Sequence, residues 1–250
     1  MVTKKNIAAK ENNNEIMSLQ QQMMNDAEKQ LSEATTGGTS NTLSTRAKRF
    51  SLGDLDLGNE LSAVILDSVF ENTYYDRAYS QDEAVPPACF AINPVSGDMA
   101  PHEDSPAPQA DTCAECPMNE WESAATGKGK ACANKRRLAL YAYDDDGMQT
   151  EEMVQIRISP TGLKRYNAYV KNVVAKLGRP SYGVVTKLAF DEKQSYPTLT
   201  FECEKPISDE EIQQVFDSRK LVEAMLSEGY DTTSYEPQKV RPTRKKSKMS

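Results

Sequence analysis

Apolar and polar positions alternate with two different periods along the chain, and the switches between them predict the order of elements. Ala63-Val64-Ile65-Leu66 lies in a short apolar stretch from Leu61 to Phe70, bounded by Gly58-Asn59 and Glu71-Asn72, which predicts a buried strand. The aromatic pair Tyr74-Tyr75 closes that strand before a polar loop runs to Pro86-Pro87. From Arg136 to Tyr143, Leu138 and Leu140 share one parity while Arg137, Ala139 and Tyr141 share the other, the period-2 pattern of a second strand. Asp144-Asp145-Asp146-Gly147 reads as a solvated turn rather than a divalent-ion site, and Val154, Ile156 and Ile158 alternate with Gln155 and Arg157 in a half-buried strand.

The period then becomes helical. Ser159 as cap and Pro160 in the first turn open a helix to Leu177, with Leu163, Tyr166, Tyr169 or Val170, Val173 and Leu177 on one face, and Gly178 and Pro180 end it. Tyr182–Phe190 and Tyr196–Cys203 predict an antiparallel pair joined by Asp191-Glu192-Lys193-Gln194-Ser195. Ser208-Asp209-Glu210-Glu211 is a capping box that opens a last helix through Val215, Phe216, Leu221 or Val222 and Met225, stopping near Gly229. The prediction is an α+β body over residues 50–230, mainly antiparallel, with two helices and either a small barrel or a curved sheet.

Outside that body the patterning fades. Residues 1–49 are polar and broken by Gly37-Gly38, a composition that buries too little to fold alone, except that Ile16, Leu19, Met23, Ala27 and Leu31 make a narrow apolar stripe between Glu15 and Ala34. Such a helix is marginal alone and would suit self-association or docking on the body. Residues 231–250 are expected to be a disordered basic tail. The chain's net charge is −7, yet Lys239, Arg241, Arg244, Lys245, Lys246 and Lys248 follow Glu236 without an acid among them, which leaves −13 for the remainder. An acidic body engages a polyanion only through local basic patches. No apolar run approaches membrane-spanning length and no secretory core opens the chain, so a soluble, cytoplasmic protein is expected.

Residues 89–132 resist explanation by patterning. This stretch is rich in Pro, Asp, Ser and Gly, has too little apolar content to order itself, and contains Cys89, Cys113, Cys116 and Cys132. In a reducing compartment such a constellation points to metal or redox chemistry rather than disulfides, the plain alternative being ordinary buried or free thiols. A C-x2-C pair grips one ion from a tight turn, and the two outlying cysteines staple distant segments to it. Zinc is the first choice, an iron–sulfur cluster the alternative, since both take four thiolates. His102, the chain's one histidine, is a candidate substitute for Cys89, and Cys203 reads as a small core residue. Four protein thiolates leave no open position for catalysis, and a single histidine argues against histidine-based hydrolysis.

Beside the cysteines, Lys128, Lys130, Lys135, Arg136 and Arg137 are interleaved with Trp121 and Tyr141, and Tyr74-Tyr75 closes the first strand. Cations that neutralise phosphates, set among rings on which bases stack, suit single-strand binding. The plainer reading is a solvated basic loop with core aromatics. Gly127-Lys128-Gly129-Lys130 lacks the spacing of a phosphate-binding loop.

PACFAIN, DTCAECPMNEWES, GKGKACANKRRLALY, ISPTGLKRYNAYV and VVTKLAFDEKQSYPTLTF, in that order, resemble a group of bacteriophage-encoded single-stranded DNA-binding proteins, over roughly Leu57 to Ser218. The resemblance implies an OB-like sheet, structural metal ligation by the four cysteines, and a non-catalytic role in phage DNA replication or recombination in the host cytoplasm. It also leaves room for a transcription accessory factor that grips an RNA polymerase, and for partners among replication, recombination or transcription proteins. An iron–sulfur nuclease is the enzymatic alternative, without a recognisable carboxylate and lysine motif to support it. One feature departs from the pattern: many such proteins end in an acidic tail that recruits partners, whereas this chain ends in Arg-Pro-Thr-Arg-Lys-Lys-Ser-Lys before Met249.

Overall fold

A computed structural model describes residues 41–77 and 85–237. The stripe between Glu15 and Ala34 and the basic tail from Lys239 lie outside the described residues.

Nine strands and two α-helices make up the described chain: β1 (Thr42–Leu43), β2 (Phe50–Leu52), β3 (Leu55–Gly58), β4 (Glu60–Tyr74), β5 (Cys89–Asn93), β6 (Ala133–Asp144), β7 (Gly147–Ile158), α1 (Pro160–Leu177), β8 (Val184–Phe190), β9 (Leu199–Pro206) and α2 (Asp209–Ser227). Seven of the strands form one sheet in the order β1-β7-β6-β4-β8-β9, with β5 added to β4. Every pairing in it is antiparallel except β1 with β7. The expected mixed, mainly antiparallel body with two helices is therefore present. The sheet is open, however, and does not close into a barrel.

Both faces of the sheet are apolar, which explains why. Strict alternation sends Ala63, Ile65, Leu138, Leu140 and Ile156 to one face, where Tyr166, Tyr169 and Val173 of α1 pack on them. The opposite parity sends Val64, Leu66, Ala139 and Tyr141 to the other face, where Val69 joins them because a bulge in β4 shifts the alternation by one residue, against Val215, Val222 and Leu226 of α2. A sheet whose two faces are each covered by a helix has no interior to enclose.

Local signals set the helix ends. In α2 the Ser208 side chain accepts from the Glu211 backbone N–H, while the Glu211 carboxylate accepts from the Ser208 N–H. In α1, Gly178 takes the left-handed conformation that ends the helix, with φ 62°, and its N–H bonds to the Val174 carbonyl. The Ser159 hydroxyl engages Thr161 rather than the helix N-terminus. Gly162 is required by close packing, because a Cβ there would lie 2.8 Å from Ile158 Cγ2. The predicted apolar faces extend too far in each helix, since Leu177, Phe216 and Leu221 are exposed.

β4 organises the molecule. Its fifteen residues reach beyond the predicted strand, bend at a bulge between Ile65 and Asp67, and pair with β6 along most of their length. On the other side β8 takes Glu60–Ala63 and β5 takes Phe70–Tyr74. Among the described residues no strand pairs with the intervening stretch, Val64 to Val69, on that side. No described helix is long and apolar enough to cross a membrane.

Candidate nucleic-acid interface

The end of β4 carries two clusters, one on each face. On the α1 face, Asn72 and Tyr74 project beside Cys89 and Ala91 of β5, and the chain returns twice to deliver Cys113 with Cys116 and then Cys132. All four thiols are buried and line one small cavity of about 10 Å³. Asparagines tie the surrounding turns together. The Asn119 side chain donates to the Cys113 carbonyl at 2.7 Å, and its N–H bonds to the Cys116 carbonyl. Asn134 donates to Asn72 Oδ1 at 2.7 Å and to Asn119 Oδ1 at 2.9 Å.

Burial pushes the Cys132 thiol up to about 12, and the neighbouring Cys113, Cys116 and Cys89 add to the rise. Burial raises Cys89 and Cys113 as well. Desolvation and neighbouring thiols that would share their negative charge both disfavour the thiolate form. The donor set is that of a closed tetrahedral site, but among the described residues no three His, Cys, Asp or Glu side chains are arranged to hold a metal ion. His102 is turned elsewhere: it stacks on Phe90 at 4.8 Å and pairs with Asp104.

On the α2 face lies a charged node. Glu71, wholly buried, accepts from Arg137 Nε at 2.7 Å, from Arg157 Nε at 3.1 Å and from Tyr230 Oη at 2.5 Å. Burial works against the Glu71 carboxylate, but the Arg157 and Arg137 charges overcome it and hold the group below the ordinary carboxylate value. Arg137 also donates to the carbonyls of Leu226 and Glu228, which satisfies the end of α2. Beyond that helix, residues 229–236 cross the insert: Tyr230 meets Phe90 edge-on at 5.1 Å, Thr232 bonds to the Asp104 carbonyl and Tyr235 to Asp76.

These positions divide the expected nucleic-acid contacts into two groups. Arg137 is 1% exposed and belongs to the Glu71 node, and Tyr141 packs under α2 with its hydroxyl on Ser218. Neither is accessible to a ligand, which corrects the expectation drawn from the interleaving of cations and rings: the face they share is covered by α2. Lys135 is half-buried beside Glu71, and burial lowers its ammonium group below the ordinary value. Tyr74 lines the cysteine cavity, and Tyr75 is 41% exposed.

The accessible group lies on the cysteine side. Trp121 is 73% exposed, at the tip of a loop that also presents Lys128 and Lys130 to solvent. That loop has a defined shape. Ser123 donates to the Met118 carbonyl and accepts from Ala131 N–H, and Cys132 N–H bonds to Met118. Glu122, next to Trp121, holds a left-handed φ of 71°, uncommon for a residue with a side chain. Lys130 Nζ reaches Asn119, and two residues beyond Asn134 on the same face Arg136 lies 4.2 Å from the Phe70 ring centre and donates to Ser68. The asparagine ties, with Asn119 three residues past Cys116, were missed in the sequence because no spacing rule marks them. In comparisons with protein-family models, curated proteins and solved structures, none matched this chain.

Proposed function

We propose that the protein binds single-stranded DNA without catalysing a reaction on it, through the loop held by the cysteine insert and the sheet margin that continues from it. The observation that carries this reading is the exposed Trp121 in a hydrogen-bonded loop with Lys128 and Lys130, tied through Asn119 to Asn134, which shares a face of β6 with Arg136. A ring held outward beside lysines is a surface on which an unpaired base can stack while the cations neutralise its phosphates. An OB-like description applies only in a restricted sense. Both sheet faces carry helices, so a strand would lie along the margin rather than across an open sheet.

In this reading Cys89, Cys113, Cys116 and Cys132 hold a zinc ion, or alternatively an iron–sulfur cluster. The fit rests on the four buried sulfur donors around one cavity, and the bound group would supply a structural staple. The loop, and not the metal, meets the DNA.

Titration of a fluorescent oligothymidine tests the proposal. The wild-type chain is expected to bind with an affinity that falls steeply with salt, and Trp121→Ala to lose about 1–3 kcal/mol, the usual worth of one stacked base. Equal affinity for a duplex of the same length would refute it.

A further inference from the structure

The described part of the molecule contains a second basic and aromatic surface, built by elements far apart in sequence. Where β8 leaves β4 and β5 has not yet joined it, the margin of β4 opens into two adjoining cavities of about 420 and 310 Å³. They meet at Asp67, Ser68 and Arg219, so that together they form one groove passing from the α1 side of the sheet to the α2 side.

The groove is cationic. Arg136 and Lys171 line one end, Arg219 the middle and Lys220 the other. Asp67 is already paired with Arg219 at 2.9 Å and accepts from the Ser68 N–H, and Glu223 lies at the Lys220 end. Aromatic rings flank the centre: Arg219 lies 4.3 Å from the Tyr182 ring centre, and Tyr182 meets Phe216 edge-on at 5.8 Å, with Phe216 49% exposed. Arg219 Nε, shut off from solvent, has no hydrogen-bond partner.

Arg136 links this groove to the loop. It stands on the same face of β6 as Asn134, whose amide bonds to the Asn119 that also holds Lys130. Cations therefore continue from Lys130 through Arg136 to Lys171 and Arg219.

We infer that the groove at the split in the sheet is a second binding segment for single-stranded DNA, so that one strand stacks on Trp121 and then follows Arg136 into the groove. The inference rests on the proposed DNA binding and extends it. The charge favours the phosphate backbone, and the Tyr182 and Phe216 rings offer stacking surfaces for bases. An apolar peptide would leave Arg136, Lys171 and Lys220 unpaired.

Lys171 and Lys220 are both exposed and lie at opposite ends, so the double variant Lys171→Glu/Lys220→Glu tests the idea without touching the core. With about 0.7 counterions released per single-strand phosphate contact, loss of two contacts lowers the logarithmic salt slope by about 1.4 and weakens binding roughly 25-fold at about 0.1 M salt. The thermal midpoint should not move. As a second measurement, the wild-type chain cross-linked by ultraviolet light to a bromodeoxyuridine strand should yield adducts at Tyr182 or Phe216 as well as near Trp121.

An unchanged slope and affinity in the double variant, with Trp121→Ala still impaired and adducts confined to the loop, would overturn the groove and leave the loop reading standing. A wild-type chain with no preference for single strands would overturn both.

Discussion

Removing the Glu71 carboxylate should destabilise the protein more than any exposed charge change. Glu71 and Arg137 are 0% and 1% exposed at their side chains, 2.7 Å apart. In Glu71→Ala, Arg137 keeps the two carbonyls at the end of α2 but loses its counter-charge, and its Nη2 already lacks a partner. Arg157 is less affected because its side chain is 29% exposed and reaches water. Breaking a buried pair by deleting one member costs about 3–5 kcal/mol, mostly the penalty of a stranded charge. Against a total stability of about 5–15 kcal/mol this is a large fraction. For a body of this size it corresponds to a fall in melting temperature of roughly 6–20 °C. The assay is urea unfolding of Glu71→Ala, Arg137→Met and the double variant Glu71→Ala/Arg137→Met. The double variant should depart from additivity by about 0.5–3 kcal/mol, because it removes both charges together. A loss below about 1 kcal/mol in Glu71→Ala, or strict additivity, would show that the node is not held as the geometry implies. DNA affinity of the folded Arg137→Met protein should equal that of the wild type, since Arg137 faces α2 and not a ligand.

The same node makes stability depend on pH. The folded Glu71 pKa lies below its ordinary value of 4.5, so its contribution is complete above that value and lost as the pH falls through the folded pKa; unfolding midpoints measured downward from neutrality should therefore fall below about pH 4.5, and a smaller acid loss in the double variant would assign the effect to this pair. At the cysteines, the proposed zinc site predicts that Cys113→Ser or Cys116→Ser loses zinc in elemental analysis and exposes the insert to protease, because metal binding and local folding are coupled. Retained zinc or unchanged protease resistance would refute that.

Much of the body was legible because alternation and helical period are local properties. The change of period at Ser159, the capping box at Ser208 and the stop at Gly178 set both helices in the sequence where the structure has them. The length of β4 was not legible. Glu71, Asn72 and Thr73 read as a polar strand end, yet they are buried because β5, the insert and residues 229–236 cover them. β5 itself was hidden in a stretch defined by its cysteines. Arg137 shows the limit most clearly. Its parity with Ala139 and Tyr141 was correctly read, but parity says only which residues share a face, and not that a helix ninety residues onward will cover it. The gathering of four cysteines around one cavity was legible in the spacing; the groove at the sheet's split was not, because it joins β4, β6, α1 and α2 with no motif to connect them.

The two clusters at the end of β4 also determine how the insert should fail when the cysteines are removed. Residues 89–107 are tied to the sheet independently of the thiols: β5 pairs with β4, His102 N–H and the Ser105 hydroxyl bond to Phe90, Ala107 N–H bonds to Ala88, and Phe90 packs on Tyr230 from the opposite face. Residues 111–131 are tied more sparsely, by the Cys113 N–H to the Met99 carbonyl and by Asn134 of β6 to Asn119. Of their side chains only Cys113 joins the small apolar cluster of Ala91 and Met99, and the remaining order comes from the asparagine ties and the cysteines themselves. Loss of the proposed staple should therefore fray the second half of the insert first, with cleavage between Cys113 and Cys132 while β5 stays protected. Trp121 lies in that half. DNA affinity should fall in the cysteine variants even though none of the four thiols faces solvent, and the melting of the α1–sheet–α2 core should change far less than it does in Glu71→Ala.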